Sequence, residues 1–195
     1  GTNFNLYKKI LEYKGIPCTI KKEQTLTTGY DIMVLRNLLN IVIKVNENNY
    51  DEEFKYSYTS KNIEDTILLA KAFAKHLKKG DIIALNGELG AGKTVFVLGI
   101  AKYFNIEDQI CSPTFTIVNE YNLQNFEKIY HFDVYRIEDS NDFLDSIGNH
   151  YFEDGICIIE WADIIKDILP KRTINIQITK DNSNDDIRYF NIWRE

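Results

Sequence analysis

Residues Gly87 to Thr94 read Gly-Glu-Leu-Gly-Ala-Gly-Lys-Thr, the pattern GxxxxGK[ST]. The chemistry this spacing supports is the binding of a triphosphate. Glycines let successive backbone N–H groups turn toward one point, making a concave anion site at a helix N-terminus. Gly87, Gly90 and Gly92 supply that freedom. Lys93 is expected to reach the β and γ phosphates, and the Thr94 hydroxyl to bind Mg²⁺, which in turn takes phosphate oxygens.

Such a loop needs a carboxylate to help hold Mg²⁺, and that carboxylate usually ends an apolar strand beside the loop's own strand. Two segments fit. Ile156-Cys157-Ile158-Ile159-Glu160-Trp161 is the stronger, a continuous apolar run that delivers Glu160 at its end. Tyr130-His131-Phe132-Asp133 delivers Asp133 in the same manner. Ser112-Pro113-Thr114-Phe115-Thr116 places hydroxyls around a proline-stiffened turn, a loop suited to sensing a γ phosphate or positioning water, although such a stretch is more often a plain turn.

The elements that must position these residues follow from periodicity. Phe54 to Thr59 alternates as a strand, and Ser60 or Asn62 caps a predicted helix with Ile63, Ile67, Ala70, Ala74 and Leu77 on one face, ended by Lys78-Lys79-Gly80. Ile82 to Leu85 reads as a buried strand that leads into the loop, and Lys93 to Phe104 as the helix after it. Further strands are predicted at Thr114 to Tyr121, Ile129 to Val134, Ile156 to Glu160, Thr173 to Thr179 and Arg188 to Trp193, with a helix near Asp139 to Ile147. Apolar strands alternating with helices imply an α/β layered fold, and the closely spaced later strands imply that the sheet is only partly parallel.

The polar, acidic stretch Asn46 to Glu53 has linker composition, so the chain divides into an N-terminal extension, residues 1–52, and a main domain, residues 53–195. The extension is predicted to hold helices over Phe4 to Tyr13 and Ile32 to Val45, and it faintly resembles a piece of superfamily 1 helicases without a phosphate loop of its own. With 195 residues, 44% of them hydrophobic, the chain can bury one ordinary core. No apolar run is long enough to span a bilayer and no leader pattern opens the chain, which makes the cytoplasm the expected location. Three scattered cysteines and three scattered histidines suggest neither disulfides nor zinc. The net charge of −6 resides in the main domain and argues against direct, high-affinity binding of nucleic acid by that domain.

Taken in order, GELGAGKT, SPTFTIVNEY from Ser112, HFDVYRI from His131, IEWAD from Ile159 and Leu169-Pro170 resemble the TsaE family over roughly 140 residues, from Phe54 to Trp193. That family consists of bacterial P-loop ATPases needed for threonylcarbamoyl-adenosine (t6A) formation at position 37 of tRNAs that read ANN codons. The resemblance implies a P-loop NTPase-like three-layer fold with a mixed sheet, and ATP and Mg²⁺ as ligands. It also implies TsaD and TsaB as partners, with tRNA met indirectly through that complex. Residue by residue, it implies that Glu88, Leu89, Gly90, Ala91, Gly92, Lys93 and Thr94 wrap the triphosphate and that Thr94 and Glu160 bind Mg²⁺. Asp133 becomes a catalytic or supporting carboxylate, and Ser112, Thr114 and Thr116 fall in a switch-like loop. Trp161 reads equally as companion to the metal-binding acid or as a core aromatic, and Arg188 as a basic residue near the nucleotide or a surface arginine; Thr59 and Ser60 are candidates for adenine-side contacts.

Two other functions compete with this one. A small-molecule kinase uses the same loop but usually adds an arginine-rich lid, and the five arginines here do not cluster. A module in which ATP only stabilises an assembly would keep the loop without needing hydrolysis. For an ATPase, slow turnover is expected of the isolated chain, because nothing obvious supplies an arginine to the transition-state charge: of the five arginines, Arg36, Arg136, Arg172, Arg188 and Arg194, only Arg136 lies inside a motif.

Overall fold

The computed structural model describes residues 54–113, 115–124 and 127–194. The expected extension, residues 1–52, and Thr114 lie outside the described residues. The elements in chain order are β1 (Phe54–Ser60), α1 (Ile63–Ala74), β2 (Ile82–Asn86), α2 (Lys93–Tyr103), β3 (Val118–Asn122), β4 (Lys128–Asp133), α3 (Ser140–Ser146), α4 (Tyr151–Asp154), β5 (Ile156–Glu160), a 3-10 helix (Ala162–Ile168), β6 (Ile174–Lys180) and β7 (Arg188–Arg194).

The strands form one sheet in the order β1-β7-β6-β2-β5-β4-β3. Its centre, β6-β2-β5-β4, is parallel, and β7, β1 and β3 are added antiparallel at the two sides. Buried parallel strands read as unbroken apolar runs because both faces are covered, and β2 and β5 are of that kind. Alternation sorts the side chains between two cores. Ile83, Leu85, Ile156 and Ile158 pack with Leu69, Phe96 and Ile100 under α1 and α2. Ile82, Ala84, Cys157 and Ile159 pack with Phe143, Phe152 and Ile165 on the opposite face. The result is the three-layer α/β fold with a mixed sheet that the resemblance implied.

Several predicted boundaries move, each for a local reason. The strand expected from Thr114 starts at Val118, because residues 115–116 form a turn, the Ile117 N–H bonds the Pro113 carbonyl at 2.7 Å, and Ile117 has φ 65°. The helix expected to reach Lys78-Lys79-Gly80 stops at Ala74, where His76 and Leu77 take tighter bonds to Phe73 and Ala74. Its inner face is Thr66, Leu69, Ala70 and Ala74, while Ile63 is 60% exposed. Asn62 is the cap, accepting from the Asp65 N–H at 2.8 Å. The Ser60 hydroxyl is buried, donates to the Asn62 carbonyl at 2.7 Å and lies 2.8 Å from that of Thr66, so it anchors the helix entry and is not free for a base contact; Thr59 is exposed. The four-residue α4 and the 3-10 helix are too short and irregular to carry a 3.6-residue signal, and neither was anticipated.

Candidate nucleotide-binding site

Parity along the strands aims the polar side chains. Ile158 of β5 faces the core beneath α2, so Glu160, two residues on, faces the same way; Ile129 of β4 does likewise and carries His131 and Asp133 with it. Parallel register sets Leu85 and Asp133 on either side of Glu160. The main chain ties the strand ends together, with the Trp161 N–H bonding the Leu85 carbonyl at 2.9 Å and the Val134 N–H the Glu160 carbonyl at 3.2 Å.

The loop leaves β2 between two close approaches. A Cβ on Gly87, at φ +152°, would stand 2.5 Å from the Ile178 carbonyl oxygen, so no larger residue fits without moving β6. Gly92 caps α2 at φ 102°, a left-handed value that glycine takes freely, and the first turn holds no acidic residue to compete with an anion for its N–H groups. Glu88, Leu89 and Gly90 are exposed on this loop, and Ala91 is buried beneath it. The Arg188 guanidinium supports it from β7, with Nε donating to the Ala91 carbonyl at 3.1 Å and Nη2 to the Gly90 carbonyl at 3.4 Å. Arg188 is thus brought to the loop, but with these two donors turned to its carbonyl oxygens.

Thr94 Oγ1 donates to Glu160, 2.9 Å from Oε1 and 3.3 Å from Oε2. A hydroxyl beside a carboxylate is a hard oxygen pair of the kind that holds Mg²⁺ when phosphate oxygens and water complete the octahedron, so the donor set fits that ion. Lys93 is only 5% exposed; its Nζ donates to the Gly87 carbonyl at 2.7 Å and the Glu88 carbonyl at 3.1 Å, and lies 3.6 Å from the centre of the Trp161 ring. Burial lowers the Lys93 pKa, against the opposing pull of Glu160, Asp133 and Asp163. Trp161 is half-buried against Tyr135, ring centres 4.9 Å apart, and its ring is the aromatic face under the loop's cation. It adopts φ 64°, a left-handed value costing a bulky residue about 1–3 kcal/mol.

Asp133 lies on the far side of Glu160. Its Oδ2 accepts from the Ser112 hydroxyl and its Oδ1 from the Tyr135 N–H at 3.0 Å, so the Ser112 loop is fastened to the second carboxylate. Thr116 sits apart, in an exposed turn with its hydroxyl donating to Asn119 Oδ1 at 3.3 Å. Three residues at the site were not singled out from the sequence. His131 is fully buried with Nε2 2.9 Å from Glu160 Oε1. Lys180 reaches to 3.7 Å from Glu88. Asn86 accepts from the Asp163 N–H at 2.9 Å, pinning the turn after Trp161. The parity of His131 with Asp133 within one short strand was the signal available for the first; the other two depend on tertiary register alone.

Comparison with known proteins agrees with this architecture. The crystal structure of Bacillus subtilis YdiB superposes with a TM-score of 0.60 at 35% identity, covering 73% of this chain and 87% of that one. The tRNA threonylcarbamoyladenosine biosynthesis protein TsaE of Bacillus subtilis is 41% identical over 119 residues, 61% of this chain and 74% of the relative. The protein of the same name from Treponema pallidum is 36% identical over 121 residues, 61% of this chain and 87% of the relative. A family model described as threonylcarbamoyl adenosine biosynthesis protein TsaE matches residues 60–188, which takes in the loop, both carboxylates and Arg188. By fold, by site and by these matches, the chain belongs to the TsaE family.

Proposed function

We propose that this chain is a Mg²⁺-dependent ATPase that works in the cytoplasm with TsaD and TsaB to support t6A formation in tRNA. The observation that carries the reading is the meeting of Thr94 and Glu160 at 2.9 Å beside the buried ammonium of Lys93, at the mouth of a glycine-built anion loop. ATP is the substrate, its phosphates received by the loop N–H groups and Lys93. Mg²⁺, held by Thr94 and Glu160, would offset charge on the phosphate oxygens. Asp133, fixed by Ser112 and Tyr135, is the carboxylate available to orient an attacking water.

Turnover by the isolated chain is expected to be slow. Arg172 and Arg188 are bonded to backbone carbonyls, and Arg136 lies 4.8 Å over the exposed Phe115 ring, outside the loop. A group supplied by a partner would complete the charge balance, which fits a subunit whose hydrolysis is coupled to an assembly.

The test is reconstitution of tRNA modification from TsaD, TsaB and a threonylcarbamoyl-adenylate source, with this chain or its Lys93→Ala variant. Modification is expected to require the wild-type chain and to fail with the variant. Equal modification without the chain would remove the proposal. Modification that survives in Glu160→Ala after hydrolysis is lost would instead mark a nucleotide-dependent binding module.

A further inference from the structure

His131 is a fully buried titratable group next to the proposed metal pair, outside the set of residues that would touch nucleotide or metal. It lies on β4, paired across the parallel ladder with Ile158, one diagonal step from Glu160 on the same face. Its Nε2 stands 2.9 Å from Glu160 Oε1, the oxygen that also receives the Thr94 hydroxyl at 2.9 Å. Its other nitrogen, Nδ1, is buried and has no hydrogen-bond partner among the described residues.

This asymmetry sets the tautomer. A neutral imidazole carries one N–H and one bare lone pair, and here the acceptor is on the Nε2 side. The N–H therefore belongs on Nε2, aimed at a carboxylate oxygen, and the lone pair on Nδ1. Two donors on one oxygen, from helix α2 and strand β4, leave the carboxylate little freedom to rotate. A buried carboxylate with only the flexible hydroxyl to hold it would swing about its side-chain torsions, and the ordering of that group would then have to accompany each binding event.

We propose that His131 is a positioning residue: its Nε2–H fixes Glu160 in the orientation that meets a divalent cation together with Thr94, so that the cation binds a preformed pair of oxygens. The inference rests on the proposed Mg²⁺-nucleotide function and assigns the device that orients that site. Outer partners of this kind, when removed, typically weaken metal affinity by about 10–100-fold.

The experiment is calorimetric titration of full-length wild type and of His131→Leu, His131→Gln and His131→Asn with ADP, in EDTA and over a Mg²⁺ series, with thermal melting to establish folding. Long-range ¹H–¹⁵N spectra of the imidazoles supply a readout that needs no metal. A wild-type chain whose ADP affinity ignores Mg²⁺ would overturn the function on which the inference rests. Where wild type does respond, His131→Leu is expected to raise the half-saturating Mg²⁺ concentration by about tenfold or more while leaving metal-free ADP affinity within about twofold. Gln, whose amide nitrogen reaches the place of Nε2, is expected to restore most of the response, and Asn, which reaches only the place of Nδ1, is not. Should His131→Leu fail to fold, the Gln and Asn pair decides the matter. Equal Mg²⁺ response in wild type and folded His131→Leu, equal responses in Gln and Asn, or a wild-type spectrum with the proton on Nδ1 would each overturn the assignment.

Discussion

The two ends of the parallel strands are tied together by the same kinds of bond and differ in where the charge is kept. At the carboxyl end the charges of Lys93, Asp133 and Glu160 are between 3% and 6% exposed. At the amino end Arg172 donates to the Gly80 and Phe152 carbonyls at 3.2 Å and to Glu153 at 2.6 Å, and Lys79 approaches Asp154 at 3.7 Å. The ion pairs there are wet, with side-chain exposures of 43% and 77% for Arg172 and Glu153. Burying charge is costly and exposed pairing contributes little. Among the described residues the amino end buries a single charge, Asp81, whose carboxylate accepts the Lys78 N–H at 2.9 Å, whereas the carboxyl end gathers three in one place and is reserved for something other than stability.

The largest expected effect follows from removing the most confined charge. Lys93→Ala should lower affinity for Mg²⁺-nucleotide by roughly a hundredfold or more, as loss of a desolvated charge contact does, without lowering the melting temperature. Because the folded Lys93 pKa lies below the ordinary 10.5, the unfolded chain holds more protons between the two values, and wild-type stability rises with pH across that window. The uncharged variant Lys93→Met should therefore be the more stable protein below the lowered value, with its advantage fading as pH approaches 10.5. Melting curves at successive pH values test this, and a melting temperature that falls in Lys93→Ala would break the contrast between the two ends.

A smaller effect is expected at the amino end. Arg172→Ala should cost about 1 kcal/mol of stability through its carbonyl bonds and leave Mg²⁺-nucleotide affinity unchanged; denaturant unfolding and calorimetry together check both halves. A shift in affinity would mean that the two ends are coupled. The smallest effect belongs to the β6–β7 turn, which stands at the carboxyl end yet is exposed. Hydrogen bonds from Ser183, Tyr189 and Asn184 depress the Asp181 pKa from 3.8 to about 2. Its stabilisation is present above the higher value and is lost as pH falls through the lower one, so Asp181→Ala should lower stability slightly at neutral pH, converge with wild type at low pH and thereby flatten the acid unfolding profile in that window.

The sequence was most informative where function and geometry are local. The loop, the run Ile156 to Glu160 and the helix after Lys93 are contiguous patterns, and β2, β5 and α2 fall where periodicity puts them, to within a residue. Glu160 and Asp133 were legible as strand-end acids. Their order beside the loop was not, because it depends on β5 lying between β2 and β4. His131 was legible as part of its motif but received no role, because a histidine within an apolar strand is ordinary until its neighbour across the ladder is known. Arg188 was associated with the nucleotide only by resemblance, and its two bonds to loop carbonyls arise from an antiparallel strand returning along β6. Ile117, a β-branched residue at φ 65°, stands where the sequence predicted extended strand, and no propensity signals that conformation.

Trp161, held by its left-handed backbone under the Lys93 ammonium, also has an optical consequence. The chain has two tryptophans, and the other, Trp193, pairs with Asn175 near the start of β6, at the far end of the sheet. An excited indole responds to a charge moved on or off its face. Any ligand that draws Lys93 away from its 3.6 Å perch must therefore change the emission of one fluorophore while the second, remote from it, serves as an internal reference. The protein carries its own gauge of loop occupancy.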